Sequence, residues 1–162
     1  ISVSTPDFKG ALQDGYAAAV ESIVQSIPEA GEVQEDQVTI LVSSAFTPGD
    51  VEEIKEIVAA FGLKAIALPD LSESLDGHLS EGDFSATTTG GTTLADLRRV
   101  GSSAFTLALG ESMRGAADIL LDRFGTEYQV FPRLTGLKAV DEFMVRLSRV
   151  SDVCVPEKYR RQ

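Results

Sequence analysis

The sequence predicts a three-layer α/β/α domain on a parallel sheet, and two observations carry that prediction. First, short apolar runs at 38–42 (VTILV), 65–68 (AIAL) and 105–109 (FTLAL) alternate with stretches whose apolar residues recur at helical spacing. Runs without polar alternation mark strands covered on both faces, as parallel strands are. Second, one junction occurs twice. Phe61-Gly62-Leu63-Lys64 leads into a strand ended by Pro69, and Phe124-Gly125-Thr126-Glu127 leads into a strand ended by Pro132. Stacked helix-to-strand units joined by right-handed crossovers produce that repetition.

The elements follow in order. Residues 1–4 (ISVS) read as a short strand closed by Pro6, which lacks the N–H that a sheet interior needs. Within 11–27, Leu12, Tyr16, Val20, Ile23 and Ile27 form a helical stripe closed by Pro28, and 29–36 read as a polar acidic loop. After the strand at 38–42, Thr47 is a helix N-cap, Pro48 takes the first helical position and Asp50 completes the cap. That helix buries Val51, Ile54, Val58 and Phe61 and stops at Gly62. The strand at 65–68 ends at Pro69-Asp70, and 71–91 form a long loop tipped by Thr87-Thr88-Thr89-Gly90-Gly91. Thr93 caps a further helix, followed by the strand at 105–109, a helix over 112–124 stopped by Gly125, and a strand at 128–131. Leu137, Val140, Phe143, Met144 and Leu147 mark the last full amphipathic helix.

Five parallel strands with intervening helices make a Rossmann-like fold. The long 71–91 segment is where the chain crosses the sheet, which favours strand order 3-2-1-4-5 over 2-1-3-4-5. Residues 1–155 are expected to form one domain, with 156–162 starting a truncated helix that leads into the next domain of a longer chain. The strand-like start without an initiator Met also suggests a middle segment.

Composition narrows the function classes. With 162 residues, 43% hydrophobic and 24% charged, the chain suits one domain with a real core. Fourteen basic against twenty-five acidic residues give a net charge of −11 and a pI near 4.4, which repels nucleic-acid backbones. No apolar run approaches the roughly 20 residues that cross a bilayer, and the start resembles no signal peptide, so a cytoplasmic, reducing setting is expected, with no membrane partner. Cys154 and His78 are single, which leaves no disulfide framework and no cysteine-rich metal site.

Two regions are candidate sites. In strand order 3-2-1-4-5 the switch point lies between strands one and four, so the loops 5–10 and 110–113 face one crevice, with Thr5, Pro6, Gly110, Glu111 and Ser112 as its residues. Ser112 reads either as a nucleophile, without a GxSxG context, or as an N-cap beside a favourably placed Glu111. The loop Gly90-Gly91-Thr92-Thr93 reads either as an anion cradle or as a tight turn feeding a capped helix, and matches neither a Walker A motif nor GxGxxG. Asp70, Asp76, Glu81 and Asp83 match no calcium-loop spacing and read as solvated loop carboxylates.

Several segments together resemble the nitrogenase component 1-like family, in its cofactor-assembly scaffold branch: VSTPDFKGALQDGYAAAVESIV, SAFTPGDVEEIKEIVAAFGLKAIALPDLSESLDGHL, TTTGGTTLADLRRVGSSAFTLALGESM, RFGTEYQVFPRLTGLKAVDEF and VPEKYRRQ. The resemblance implies a subunit of several Rossmann-like domains that pairs with a NifE-like α-type subunit in a heterotetramer. It implies that the full complex holds an iron–sulfur cluster and the iron–molybdenum cofactor precursor, and that an iron protein docks on it. In catalytic α subunits of the family the strand before the Ser-Met pair ends in a cofactor-binding cysteine. The position matching it here is Leu109, which cannot ligate iron, so this segment is expected to hold no cofactor or metal, to carry no catalytic residue, and to serve assembly. The alternatives are a β-subunit domain of a nitrogenase-like molybdenum–iron reductase and a free-standing flavodoxin-like ligand binder.

Overall fold

The computed structural model describes residues 10–71 and 91–160, together with Val3. Helix α1 (Leu12–Ser26) comes first, then strand β1 (Gln34–Val42), α2 (Pro48–Ala60), β2 (Lys64–Leu68), α3 (Leu94–Arg99), β3 (Ser103–Leu109), α4 (Arg114–Phe124), β4 (Tyr128–Phe131), α5 (Leu137–Ser151) and the short α6 (Glu157–Arg160). Among the described residues the sheet has four strands, ordered β2-β1-β3-β4, with every neighbouring pair parallel.

The three-layer class holds, but strand number and order need correction. The order 3-2-1-4-5 put the segment at 1–4 between the strands at 38–42 and 105–109. Those two strands instead pair directly, with Val38 opposite Phe105 and Val42 opposite Leu109, so no strand lies between them. Residues 1, 2 and 4 fall outside the described residues. The expected pairings of 38–42 with 65–68, and of 105–109 with 128–131, are both present.

Alternation along the strands explains the layers. Val38, Ile40 and Val42 of β1, with Phe105, Leu107 and Leu109 of β3, face α2 and α5, where they meet Ile54, Val58, Phe143 and Leu147. Phe131 meets Phe143 edge-on, with ring centroids 5.2 Å apart. Leu41 and Ala108 point the other way, toward Val20 and Val24 of α1 and Ala116, Ala117 and Leu120 of α4. Fully burying one such Leu, Phe or Met gains about 1.5–3 kcal/mol, so the two apolar faces hold the layers together.

Helix limits follow local chemistry. The Thr47 hydroxyl accepts from the Asp50 N–H at 3.2 Å and the Asp50 carboxylate accepts from the Thr47 N–H at 2.8 Å, a reciprocal cap around Pro48. The second helix and α4 end beside Gly62 and Gly125, whose φ values of +77° and +73° lie where side chains are strained. One boundary departs from expectation: β1 begins at Gln34, inside the segment read as loop. Gln37 is buried there because its amide donates to the Arg99 carbonyl at 2.9 Å and to the Ser103 hydroxyl at 3.0 Å. Long-range bonds thus hold a polar stretch in the sheet. Among the described residues no helix is long and apolar enough to cross a membrane.

Candidate functional site

The site grows from the carboxyl ends of β1 and β3. Beyond Val42 and Leu109 the Ser43 N–H still donates to the Leu109 carbonyl at 3.1 Å, and the Gly110 N–H donates to the Phe131 carbonyl at 2.8 Å. From that closed floor the chain parts: β1 feeds α2 on one face, and β3 feeds a 3-10 turn (Glu111–Met113) and α4 on the other. This is the switch point of the sheet, where open α/β folds form their crevice. A cavity of about 650 Å³ opens there. Ser43, Gly110 and Ser112 line it, Phe46, Ile54, Leu134, Phe143 and Met144 supply apolar wall, and Asp50, Glu53, Glu111 and Arg133 add charge.

Gly110 shapes the floor. Its φ is +102°, and a Cβ there would stand 2.6 Å from Ser43 Oγ and 2.8 Å from Ser43 Cβ, closer than atoms pack. The same point is 3.8 Å from Ser112 Oγ, so the bare backbone of Gly110 is what lets the Ser43 side chain pack against this turn. Ser43 is only 4% exposed. Its N–H and C=O are bonded, and its hydroxyl has no hydrogen-bond partner among the described residues.

Ser112 does not cap a helix. It sits inside the 3-10 turn, and Met113, which precedes α4, offers no side-chain cap. Glu111 instead forms a two-pronged ion pair with Arg114, whose second prong spans 3.1 Å. The hydrogen bond from Arg114 holds the Glu111 carboxyl below the usual carboxylate range. The sole histidine, His78, lies outside the described residues, as do Asp76, Glu81, Asp83, Thr5, Pro6 and Gly90.

The glycine–threonine loop uses its polar groups internally. Thr92 Oγ1 donates to the Ala67 carbonyl at 2.6 Å and accepts from the Asp70 N–H at 3.0 Å, tying the loop to the end of β2. Gly91, at φ +90°, passes close to the Asp70 carbonyl. Thr93 accepts from the Asp96 N–H at 3.1 Å and caps α3, a helix of only six residues. Asp70 is also ion-paired with Lys55 at 2.7 Å. These bonds favour the capped turn over the anion cradle.

Of the sequence candidates, the structure brings Gly110, Glu111 and Ser112 to one cleft and places Gly91, Thr92 and Thr93 elsewhere. Sequence reasoning missed Ser43. Its signal was its place directly after the apolar run 38–42, at the carboxyl end of a strand.

The described residues do not fit an iron–sulfur or molybdenum cofactor. Leu109 is fully buried against the α2–α5 layer and has no donor atom. Cys154 is exposed in the segment after α5, and among the described residues no three His, Cys, Asp or Glu side chains gather to hold a metal.

A doubly wound parallel sheet with a crevice at its switch point is the class of domain defined here, and the chain belongs to the family of nitrogenase component 1 type oxidoreductases, whose model matches residues 1–162. It is 65% identical over 98% of its length to the nitrogenase iron-molybdenum cofactor biosynthesis protein NifN of Nostoc sp., and 50% identical over 96% to that of Rhodobacter capsulatus. The solved structure of nitrogenase Cp1 at pH 6.5 superposes with a TM-score of 0.89 at 28% identity, over 98% of this chain and 34% of that one. The chain spans about a third (35% and 34%) of the length of these two curated relatives.

Proposed function

We propose that this chain is a domain of a scaffold subunit on which the nitrogenase iron–molybdenum cofactor is assembled. The observation that carries the reading is the 65% identity over 98% of the chain to a relative named for cofactor biosynthesis, against 28% to the nitrogenase structure. The buried Leu109, where catalytic relatives are expected to present a cysteine, supports a role in subunit architecture over cluster ligation. In this reading residues 1–155 are one Rossmann-like domain, and 156–162 begin a helix running into the next domain. The full-length subunit works in the cytoplasm beside a NifE-like α-type partner in a heterotetramer. The assembled complex holds an iron–sulfur cluster and the cofactor precursor through residues outside this domain, and an iron protein docks on it.

Deletion of the gene in its host separates this reading from that of a reductase β subunit. A scaffold defect is expected to leave a molybdenum–iron protein that lacks its cofactor and regains activity when extracted cofactor is added. A deletion strain whose molybdenum–iron protein already carries cofactor would sink the scaffold reading.

A further inference from the structure

We propose that the open edge of β4, with the groove between it and α5, takes an extended acidic segment of a partner polypeptide as an added strand. This surface is separate from the switch-point cleft and does not depend on the cofactor-assembly reading. β4 is the outermost strand in the order β2-β1-β3-β4. The Thr106 N–H donates to the Glu127 carbonyl at 2.9 Å and the Gly110 N–H to the Phe131 carbonyl at 2.8 Å. Backbone groups alternate sides along a strand, so Glu127, Gln129 and Phe131 turn theirs toward β3. Those of Tyr128 and Val130 therefore face outward, and they have no hydrogen-bond partner among the described residues. Such an edge is a template for another strand. The described chain after α5 adds none here, since Val155 and Tyr159 pack on the α2–α5 layer instead.

Charge sets the kind of strand. A groove of about 490 Å³ lies beside this edge, lined by Gln129 of β4 and by Lys138, Val145, Arg146 and Arg149 of α5. Arg146 is fixed there: its Nε donates to the Gln129 amide oxygen, and its guanidinium lies 5.2 Å from the centroid of the Phe105 ring. Its two terminal nitrogens are left for a carboxylate. Lys138 and Arg149 form no ion pair among the described residues, although Asp141 and Glu142 lie along the same groove. Val145 is 46% exposed and offers apolar contact to an alternate side chain of the incoming strand. Residues 132–162 carry seven of the fourteen basic residues and only four of the twenty-five acidic ones. This part of an otherwise acidic chain therefore attracts carboxylates and repels a basic strand.

The test uses the full-length polypeptide and three labelled heptapeptides, followed by fluorescence anisotropy at low ionic strength. One alternates glutamate and valine, the second has lysine in place of glutamate, and the third is the acidic peptide with its backbone nitrogens methylated along one edge. The acidic peptide is expected to bind about tenfold tighter than the lysine peptide, and methylation to weaken it about fivefold. Lys138→Glu combined with Arg149→Glu should weaken the acidic peptide about tenfold while leaving the unfolding midpoint in place. Hydrogen exchange should slow at the Tyr128 and Val130 amides when the acidic peptide is bound. Equal binding of the acidic and lysine peptides, or of the acidic peptide and its methylated form, overturns the proposal. So does an affinity that survives the double charge reversal, or protection that spares Tyr128 and Val130. Absence of binding at millimolar concentration also overturns it, because the cations would then guard the edge or the rest of the subunit would cover it.

Discussion

The glycine turns at Gly91 and Gly110 both lead into helices, and they treat their hydroxyl groups in opposite ways. At the Gly91 turn, Thr92 and Thr93 spend their oxygens on the Ala67 carbonyl and on the Asp70 and Asp96 N–H groups. At the Gly110 turn, Ser112 and the neighbouring Ser43 have hydroxyls without partners among the described residues, and both line the cleft. The sequences TGGTT and LGES look equally suited to hold a ligand. What separates them is whether the local backbone already consumes the polar groups. The first turn is a fastening and the second a floor.

The largest expected effect lies at the strand end beneath that floor. Leu109 is fully buried among Phe131, Phe143 and the other residues of the α2–α5 layer. Leu109→Ala should cost about 2–5 kcal/mol through lost transfer energy and a cavity. Urea unfolding would measure it, and an unshifted midpoint would show that the floor is not built on packing.

Gly110→Ala comes next, at about 2–4 kcal/mol, from a strained positive φ and contact with Ser43. The comparison sharpens in a double variant. Ser43→Gly relieves the contact but not the φ strain, so Gly110→Ala with Ser43→Gly should be less destabilised than the two single changes added together. Simple additivity of the two unfolding energies would mean that the close approach at 2.6 Å costs nothing.

How much of this was legible in the sequence differs between elements and assembly. The apolar runs at 38–42, 65–68, 105–109 and 128–131 are all strands, and the cap at Thr47 and the stops at Gly62 and Gly125 stand where their chemistry put them. Those signals are local. The pairing of β1 with β3 is not, because a long 71–91 segment shows that the chain crosses the sheet without saying which strand it arrives beside. That one error displaced one wall of the site. With the strand at 1–4 placed at the centre, the expected crevice pairs 5–10 with 110–113, whereas the cleft pairs Ser43 with Gly110, Glu111 and Ser112. Polar residues hid the start of β1 for a similar reason: Gln37 is buried only because Ser103 and Arg99 lie across from it.

At the Gly91 turn the effect should be smaller. Thr92→Val keeps the shape but removes two bonds, to the Ala67 carbonyl and the Asp70 N–H, in a partly buried place. A loss of about 1–2 kcal/mol is expected. If Thr92→Val is neutral in thermal and urea unfolding, the turn is not fastened as described and regains standing as a ligand loop.

The smallest effects come from one pair of substitutions that look alike in sequence and differ in structure. Thr93→Ala removes a working N-cap and should cost about 1 kcal/mol. It also frees Asp96, whose carboxyl is held below its ordinary range mainly by the Thr93 hydroxyl and further by Arg99. A depressed folded pKa contributes stability that is present above the usual carboxylate value of about 4 and lost as pH falls below it. Thr93→Ala should therefore cost more at neutral pH than in acid, where the difference from the parent narrows. Ser112→Ala should change stability by no more than about 0.5 kcal/mol at either pH, because its hydroxyl caps nothing and bonds to none of the described residues. Equal losses for the two variants would make Ser112 a fastening like Thr93, and the contrast between the two turns would disappear.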